Sequence, residues 1–356
     1  MKPTKYNNLV TSSYSLNDVT ILLQDLKGKV PVLDTKEREK LNQSGVHYSE
    51  MLPVEYVPSD EYLKVYKNAL KSQGKQTAQA VINLAHKILN TKTSNEIVLV
   101  SLARAGTPVG ILLKRYLTKY CNCTVSHYTI SIIRGKGIDI AAMNYILSKH
   151  NAKDIVFVDG WIGKGAINRV LAEAVTKLNV ADLSPKLAVL SDPAYETNLY
   201  GTRDDFLIPS ACLNSTVSGL ISRTVKLKDM GDDELHGAIY YAENKKHDLS
   251  NAFLDEIEGY FPYLNDENNI FKGIDEVKLI ASEFNINDIN KIKPGVGETI
   301  RVLLRRVPDV ILIKPNANPK FIEPIIRLAK EKNVPVKEYP LIGYNTCGII
   351  KDISDL

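Results

Sequence analysis

The sequence has few cysteines, no long apolar run and no apolar leader. Four cysteines are scattered along 356 residues, which is too few for a disulfide framework or a four-thiolate zinc site. No apolar run approaches the roughly 20 residues that a membrane span needs, and the polar start "MKPTKYNNLVTSS" is unlike a secretory signal. These absences exclude a disulfide-rich secreted scaffold and predict a cytoplasmic protein that does not contact membranes.

The charge is concentrated near the end of the chain. Residues 286–356 contain 12 basic and 8 acidic residues, a net charge of +4, which equals the net charge of the whole chain. An anionic partner is therefore expected to bind this last segment.

The sequence pattern predicts two domains, since a chain of this length exceeds the usual size of one. Residues 1–265 form the first domain, with an N-terminal extension over 1–75 that has no clean periodicity and a regular core over 76–265. A polar linker is expected over 266–285, followed by a small α/β domain over 286–356. The oligomeric state is open, with a homo-oligomer as one option.

The core alternates apolar strands and amphipathic helices. The strands are "EIVLVS", "TVSHYTISI", "DIVFVD" and "KLAVLSD", and a helix separates each pair of neighbours. This alternation predicts an α/β fold with a parallel sheet covered on both faces. Ligands of such sheets bind beyond the carboxyl ends of the strands.

The turn "VDGWIGKGAI" suits an anion. Asp159 ends a strand, and Lys164 adds a positive charge before a helix begins. Between Asp159 and the helix, the glycines at 160, 163 and 165 let backbone N–H groups close around an anion. The spacing differs from both a Walker A loop and a dinucleotide fingerprint. A tight turn that needs positive φ is the structural alternative.

Two further turns follow strands of the same predicted sheet. "SLARAGTP" places Ser101, Arg104 and Gly106 before a helix, and "SIIRGKGID" places Arg134 and Lys136 on a glycine-containing loop. Either turn alone is compatible with a solvated connection. Together the three turns predict one site for a multiply phosphorylated ligand.

These turns resemble the phosphoribosyl pyrophosphate motif of type I phosphoribosyltransferases. The resemblance is closer to bacterial phosphoribosyltransferase-like proteins encoded near tellurite-resistance and stress operons, some of which carry the label StiP-type cysteine protease. It rests on "QSGVHYSEMLPVEY", "SLARAGTPVG", "SIIRGKGID", "VDGWIGKGAI" and "PSACLNSTVSGLISRT", which span most of residues 10–260.

The resemblance implies a magnesium-dependent phosphoribosyltransferase-like fold and activity, using phosphoribosyl pyrophosphate with a nucleobase or nucleoside in a stress response. It assigns a role to each turn, as follows: ribose contact and Mg²⁺ binding by the catalytic Asp159; phosphate and ribose binding by Gly160, Gly163, Lys164, Gly165 and Ala166; pyrophosphate binding by Ser101, Arg104, Ala105 and Gly106; and a mobile catalytic loop with Arg134 and Lys136. Ser191 and Asp192 follow the next strand and are expected on the base side.

Two alternatives stay open at this stage. The first alternative is a non-catalytic protein that senses a nucleotide and binds RNA. It arises because type I enzymes have two adjacent acids where this chain has Asp159 and Gly160. A cysteine protease is the second, with Cys212 as nucleophile if His236 lies within hydrogen-bond reach.

The basic end of the chain resembles a Pelota-type RNA-binding domain. The matching segment, "KPGVGETIRVLLRR", combines a glycine-rich turn with a basic helix. The residues that the resemblance assigns to RNA are Gly295, Gly297, Glu298, Thr299, Arg301 and, on the same helix face, Arg305. A solvated basic helix face is the structural alternative.

Overall fold

Strands and helices alternate through most of the chain in the computed structural model, which describes residues 8–264, 273–315, 317–341 and 343–351. The chain divides into two compact units, Met1–Asn268 and Asn269–Leu356. The strands of the first unit are β1 (Thr20–Ile21), β2 (Gln24–Asp25), β3 (Val32–Leu33), β4 (Leu52–Pro53), β5 (Glu96–Leu102), β6 (Thr124–Ile130), β7 (Ile132–Ile133), β8 (Gly137–Ile138), β9 (Ile155–Trp161), β10 (Leu187–Ser191), β11 (Tyr200–Thr202) and β12 (Gly237–Ala238). Its helices are α1 (Thr35–Gln43), α2 (Asp60–Leu89), α3 (Gly106–Tyr120), α4 (Ile140–Leu147), α5 (Ala166–Leu178) and α6 (Ser250–Glu258).

A six-stranded sheet in the order β1-β6-β5-β9-β10-β11 forms the centre of the first unit. All of its strand pairs are parallel, which confirms the parallel α/β sheet predicted from the sequence. Alternate residues of β5 pack on opposite faces of the sheet. Leu99 packs in the core formed with α2, α3 and α6, whereas Val98 and Val100 pack in the core formed with α4 and α5. Both faces of the sheet are therefore buried, and β5, β9 and β10 are mostly apolar.

Helix α2 begins earlier than the sequence pattern indicated. Its 30 residues start inside the region predicted as an irregular extension, and the Ser59 hydroxyl caps it by accepting a hydrogen bond from the Tyr62 amide at 3.4 Å. Exposed Tyr62 and Val65 interrupt the apolar periodicity in its first turns, which is why the pattern became visible only from residue 76.

The second unit has its own core. Its elements are α7 (Gly273–Glu283), β13 (Ile292–Pro294), α8 (Val296–Arg305), β14 (Pro308–Ile313), α9 (Pro319–Glu331), β15 (Val336–Glu338) and β16 (Thr346–Ile350). The sheet order is β13-β16-β14-β15, with one parallel and two antiparallel pairs. Helix α7 lies in the range predicted as a linker, yet its Val277 and Ile280 are buried in this core, so the unit extends further towards the N terminus than the sequence suggested.

Candidate functional site

The carboxyl ends of β5 and β9 border a pocket of about 250 Å³. The order of the sheet reverses between these two strands, which is the point where open α/β sheets bind ligands. Ala105 lines the pocket after β5, and Asp159, Trp161 and residues 163–168 line it at the end of β9. The turns "SLARAGTP" and "VDGWIGKGAI" therefore meet here.

Asp159 is the acid of this pocket. Its carboxylate accepts a hydrogen bond from the Gly160 amide at 2.7 Å, and burial raises its pKa to about 7. The residue is partly accessible, so the carboxyl group can exchange a proton near neutral pH.

The fit to magnesium is poor in the part of the chain that the structure describes. Asp159 is the only acid among the described residues that line the pocket, and those residues contain no cluster of three histidine, cysteine, aspartate or glutamate side chains. Magnesium prefers several oxygen ligands in octahedral geometry. Magnesium binding therefore stays a prediction.

The glycines of the turn have two different structural roles. Gly165 has φ of +73° and precedes α5 without a side-chain cap, as an anion cradle requires. However, the Glu196 carboxylate lies 2.7 to 2.9 Å from the position that a Gly165 Cβ would take, which puts an acid beside the proposed phosphate site. Gly106 is required for packing, since its Cβ would lie 2.4 Å from the Val158 carbonyl oxygen.

Ser101 does not face a ligand. It is fully buried, and its hydroxyl pairs with His127 Nε2 at 2.8 Å, while His127 Nδ1 pairs with the Asp18 carbonyl at 2.9 Å. The predicted pyrophosphate contact of Ser101 is therefore wrong, because a histidine 26 residues further along the chain takes its hydroxyl.

Ser191 and Asp192 are also structural. The Ser191 hydroxyl donates to the Asp204 carbonyl at 2.6 Å, and the Asp192 carboxylate accepts from the Thr197 amide and pairs with Arg203. Both residues are buried. The prediction that they face a base is wrong, since they fix the loop between β10 and the segment after β11.

The basic loop between β7 and β8 rests on the segment that follows α1. The Arg134 amide donates to the Tyr48 hydroxyl at 3.0 Å, and Lys136 Nζ lies 3.5 Å from the Glu50 carboxylate. The Arg134 side chain is exposed. In this conformation the loop is docked on residues 48–50 rather than on the Asp159 pocket.

Cys212 lines a second pocket, of about 360 Å³. One wall contains apolar and aromatic residues between Val54 and Tyr62, and the other is the turn from Cys212 to Thr216. None of the four cysteines is in a disulfide, and of the other three Cys123 and Cys347 are buried. Burial raises the pKa of the Cys212 thiol.

His236 is not paired with Cys212. Its Nδ1 pairs with the Ser131 hydroxyl at 2.8 Å, its amide donates to the Asp139 carboxylate, and burial lowers its pKa to about 3. Among the described residues no histidine forms a hydrogen bond with Cys212. The predicted Cys212–His236 dyad is therefore wrong, because His236 is held in a buried polar cluster at the Ser131 end of β6.

Arg104 contacts the turn that carries Cys212 and does not line the Asp159 pocket. Its guanidinium pairs with Glu55 and donates to the Asn214 amide oxygen at 3.3 Å and to the Ile221 carbonyl at 3.2 Å. Glu55 also accepts the Ser215 amide at 3.0 Å. The ion pair thus fixes the turn that carries Cys212.

Two buried donors near this pocket lack a partner. The Tyr66 hydroxyl and the Thr216 hydroxyl form no hydrogen bond in the part of the chain described. Burial raises the pKa of Tyr66, and the nearby Cys212 raises it further. The sequence pattern did not predict that Glu55 and Tyr66 lie near Cys212, since both are in the region without clean periodicity. The motif "MLPVEY", which is part of the family resemblance, was the available signal for Glu55.

The second unit presents a glycine-initiated basic helix. Gly295 has φ of +94° and is the N-cap of α8, while Gly297 is exposed. Glu298 pairs with Arg301 at 2.8 Å on the surface, and Arg305 is exposed. Thr299 is buried, with its hydroxyl bonded to the Gly295 carbonyl at 2.8 Å, so it supports the turn and does not face a ligand.

The geometry defines an α/β protein with a cysteine-lined pocket in one unit and a basic glycine-initiated helix in the other. Residues 12–258 match the family described as tellurite-like stress resistance cysteine protease StiP, and the chain belongs to that family. Residues 271–352 match the Pelota RNA-binding domain. Both resemblances noted from the sequence are thereby confirmed.

A curated relative agrees with this assignment. The chain is 37% identical over 326 residues to the protein named cysteine protease StiP from Acinetobacter baylyi, covering 85% of this chain and 84% of the relative. The predicted phosphoribosyltransferase activity is wrong by this comparison, because the relative and the family are both named for a cysteine protease. No match supports phosphoribosyl pyrophosphate or a nucleobase as partner.

Similarity to solved structures is weak. The hypoxanthine phosphoribosyltransferase of Trypanosoma cruzi is 15% identical with a TM-score of 0.27, covering 36% of this chain and 77% of its own. A putative phosphosugar isomerase from Clostridium difficile is 10% identical with a TM-score of 0.21, covering 75% and 68%. The phosphoribosyltransferase-like form of the fold therefore stays a prediction. No helix among the described residues has the length and apolarity to span a membrane.

Proposed function

We propose that this protein is a cysteine protease whose nucleophile is Cys212. The observation that carries the proposal is the position of Cys212 at the wall of the 360 Å³ pocket, partly accessible, whereas Cys123 and Cys347 are buried. The names of the family and of the curated relative support the same chemistry.

The reaction follows the usual two steps of a thiol protease. The Cys212 sulfur gives up its proton and attacks the scissile carbonyl carbon, the carbon–nitrogen bond breaks, and the departing amine takes up a proton. Water then cleaves the thioester to release the acid and restore the thiol. The two steps together return the protein to its starting state and need no oxidant or reductant.

The described conformation holds the thiol in its protonated form. Burial raises the pKa of Cys212, and no described histidine contacts it. Because catalytic hydrogen bonds often form only in the substrate complex, the proposal requires that peptide binding activates the thiol. The buried hydroxyls of Tyr66 and Thr216 form no hydrogen bond in the described part of the chain, so they are the donors proposed to stabilise a thiolate.

The pocket walls indicate the class of peptide. Tyr56, Val57 and Tyr62 are exposed by 77%, 44% and 63%, and all three line the pocket with Cys212. Exposed apolar side chains at a pocket rim mark a binding surface. We therefore expect cleavage beside an aromatic or aliphatic residue.

Cleavage of a fluorogenic peptide library by the full-length protein tests the proposal. The wild type should cleave peptides with apolar residues, and Cys212→Ala should lose this activity by at least about a thousandfold, as expected for removal of a covalent nucleophile. Cys121→Ala is the matched control, since Cys121 is partly buried outside the pocket. Equal cleavage by the Cys212→Ala and Cys121→Ala variants would reject Cys212 as the nucleophile.

We further propose that the second unit binds RNA through α8. The Pelota match, the positive φ of Gly295 and the exposed Arg301 and Arg305 support this. Arg301→Ala should weaken binding at low salt and reduce the salt slope by about one unit, as loss of one phosphate contact would. The exposed Arg327 of α9 supplies the control variant, Arg327→Ala. An unchanged salt slope in Arg301→Ala would argue against this contact.

A further inference from the structure

Three arginines lie near the ion pair that fixes the Cys212 turn. Arg104 donates to the Ile221 carbonyl, two residues before Arg223, and Arg223 donates to the Tyr48 and Met51 carbonyls. The third is Arg38 of α1, because β3, directly before α1, pairs with β4, directly after Met51.

The charges of this cluster do not balance. Burial lowers the pKa of Arg223, and the charges of Arg38 and Arg104 lower it further, so each of them repels Arg223. Among the described ion pairs, Glu55 pairs with Arg104, and none joins a carboxylate to Arg38 or Arg223. Partly buried like charges destabilise a fold unless an anion separates them.

The same place holds three hydrogen-bond donors without partners. The Nε atoms of Arg38 and Arg223 and the hydroxyl of Tyr241 are buried and form no hydrogen bond in the described part of the chain. Tyr241 is 5% exposed and packs in one apolar cluster with Leu52 and Val225, which lie next to Met51 and two residues after Arg223 in the chain. Buried donors without partners are rare in folded proteins and often mark an absent ion or ligand.

We propose that Arg38, Arg223 and Tyr241 bind an oxyanion, a carboxylate or a phosphate, beside Arg104. Guanidinium groups and a phenol are the donors that suit such a group, since planar forks match its oxygens. The bound anion neutralises the surplus charge and satisfies the orphaned donors. Arg104 and Glu55 also hold Asn214 and Ser215, so the site adjoins the ion pair that fixes the Cys212 turn.

This site does not depend on Cys212 being a nucleophile. Its test is the thermal midpoint and the calorimetric Kd of the full-length protein with sodium phosphate or sodium succinate, against sodium chloride at equal ionic strength. A ligand that binds only the folded state raises the midpoint in proportion to the logarithm of its concentration over Kd. Phosphate alone raising the midpoint identifies a phosphate site, and both anions raising it identifies one that also accepts carboxylates; either result supports the proposal.

Three variants separate the site from adventitious binding. Arg38→Gln removes a side chain with no hydrogen bond in the described structure, so it should leave the fold intact, raise the midpoint of the ligand-free protein and weaken anion binding by at least about tenfold. Tyr241→Phe, which removes only the orphaned hydroxyl, should weaken it severalfold without lowering stability. Arg327→Gln on α9 is the exposed control. No midpoint shift beyond that of chloride, or equal anion affinity in Arg38→Gln and Arg327→Gln, overturns the proposal.

Discussion

Replacing Glu55 with glutamine tests the network that positions the Cys212 turn. The Glu55 side chain is only 3% exposed, pairs with Arg104 and accepts the Ser215 amide at 3.0 Å. Glutamine keeps the shape and an oxygen for Ser215 but removes the negative charge of the Glu55 carboxylate that pairs with Arg104. The variant therefore isolates the charge of the pair.

The expected loss follows from the burial of the two partners. Breaking a fully buried pair costs about 3–5 kcal/mol, whereas an exposed pair contributes at most about 1 kcal/mol. Arg104 is 21% exposed and keeps its bonds to Asn214 and the Ile221 carbonyl, so the cost lies between these limits. We expect about 2 kcal/mol, which for a unit of this size lowers the thermal midpoint by about 4–8 °C.

Thermal unfolding of the full-length protein, followed at the transition of the first unit, measures this loss. Asp255→Asn is the control, because Asp255 is 70% exposed and its partner Arg115 retains Asp18 and Glu258. The control should change stability by less than about 0.5 kcal/mol. If Glu55→Gln shifts the midpoint no more than this control does, the buried pair does not stabilise the turn and the reasoning fails.

Three other outcomes are expected. Burial raises the pKa of Asp159 from its ordinary 3.8 to about 7, so the folded state binds this proton more tightly and its stability falls as the pH rises between these values. In urea unfolding, Asp159→Asn should therefore gain stability relative to the wild type on going from pH 5 to pH 8. An equal difference between variant and wild type at both pH values would refute this. Gly106→Ala places a Cβ 2.4 Å from the Val158 carbonyl oxygen and should lower the free energy of unfolding by about 1–3 kcal/mol in chemical denaturation. Gly160→Ala should lower it less, because the nearest atom would lie 3.8 Å from the added Cβ. A larger loss in Gly160→Ala than in Gly106→Ala would contradict the packing argument. Tyr66→Phe should not lower stability, since it removes an unsatisfied hydroxyl, but it should slow alkylation of Cys212 by iodoacetamide; an unchanged rate would separate Tyr66 from the thiol.

The sequence pattern predicted the sheet because local signals determine it. Apolar strands such as "DIVFVD" and glycine-containing turns before helices specify parallel strands without knowledge of the rest of the chain. The turns at the ends of β5 and β9 accordingly meet at the Asp159 pocket.

The side-chain partners could not be predicted, because they join residues far apart in the chain. Ser101 was expected at a ligand, yet His127 takes its hydroxyl, and Arg104 turns to Glu55, 49 residues earlier, instead of the Asp159 pocket. His236 likewise pairs with Ser131 and leaves Cys212 without a histidine. The sequence shows which reactive and charged residues are present, but it does not show which of them lie close together in the fold.

Mass spectrometry of a trapped acyl intermediate tests the central claim most directly. The full-length protein is mixed with an activated ester of a short peptide ending in an aromatic residue, quenched in acid and digested. The account predicts that the acyl mass appears on the peptide containing Cys212 and disappears over time by hydrolysis, while Cys121, Cys123 and Cys347 stay unmodified. Acylation of Cys121 at the same rate, or no acylation of Cys212 by a peptide that the wild type hydrolyses, would contradict it.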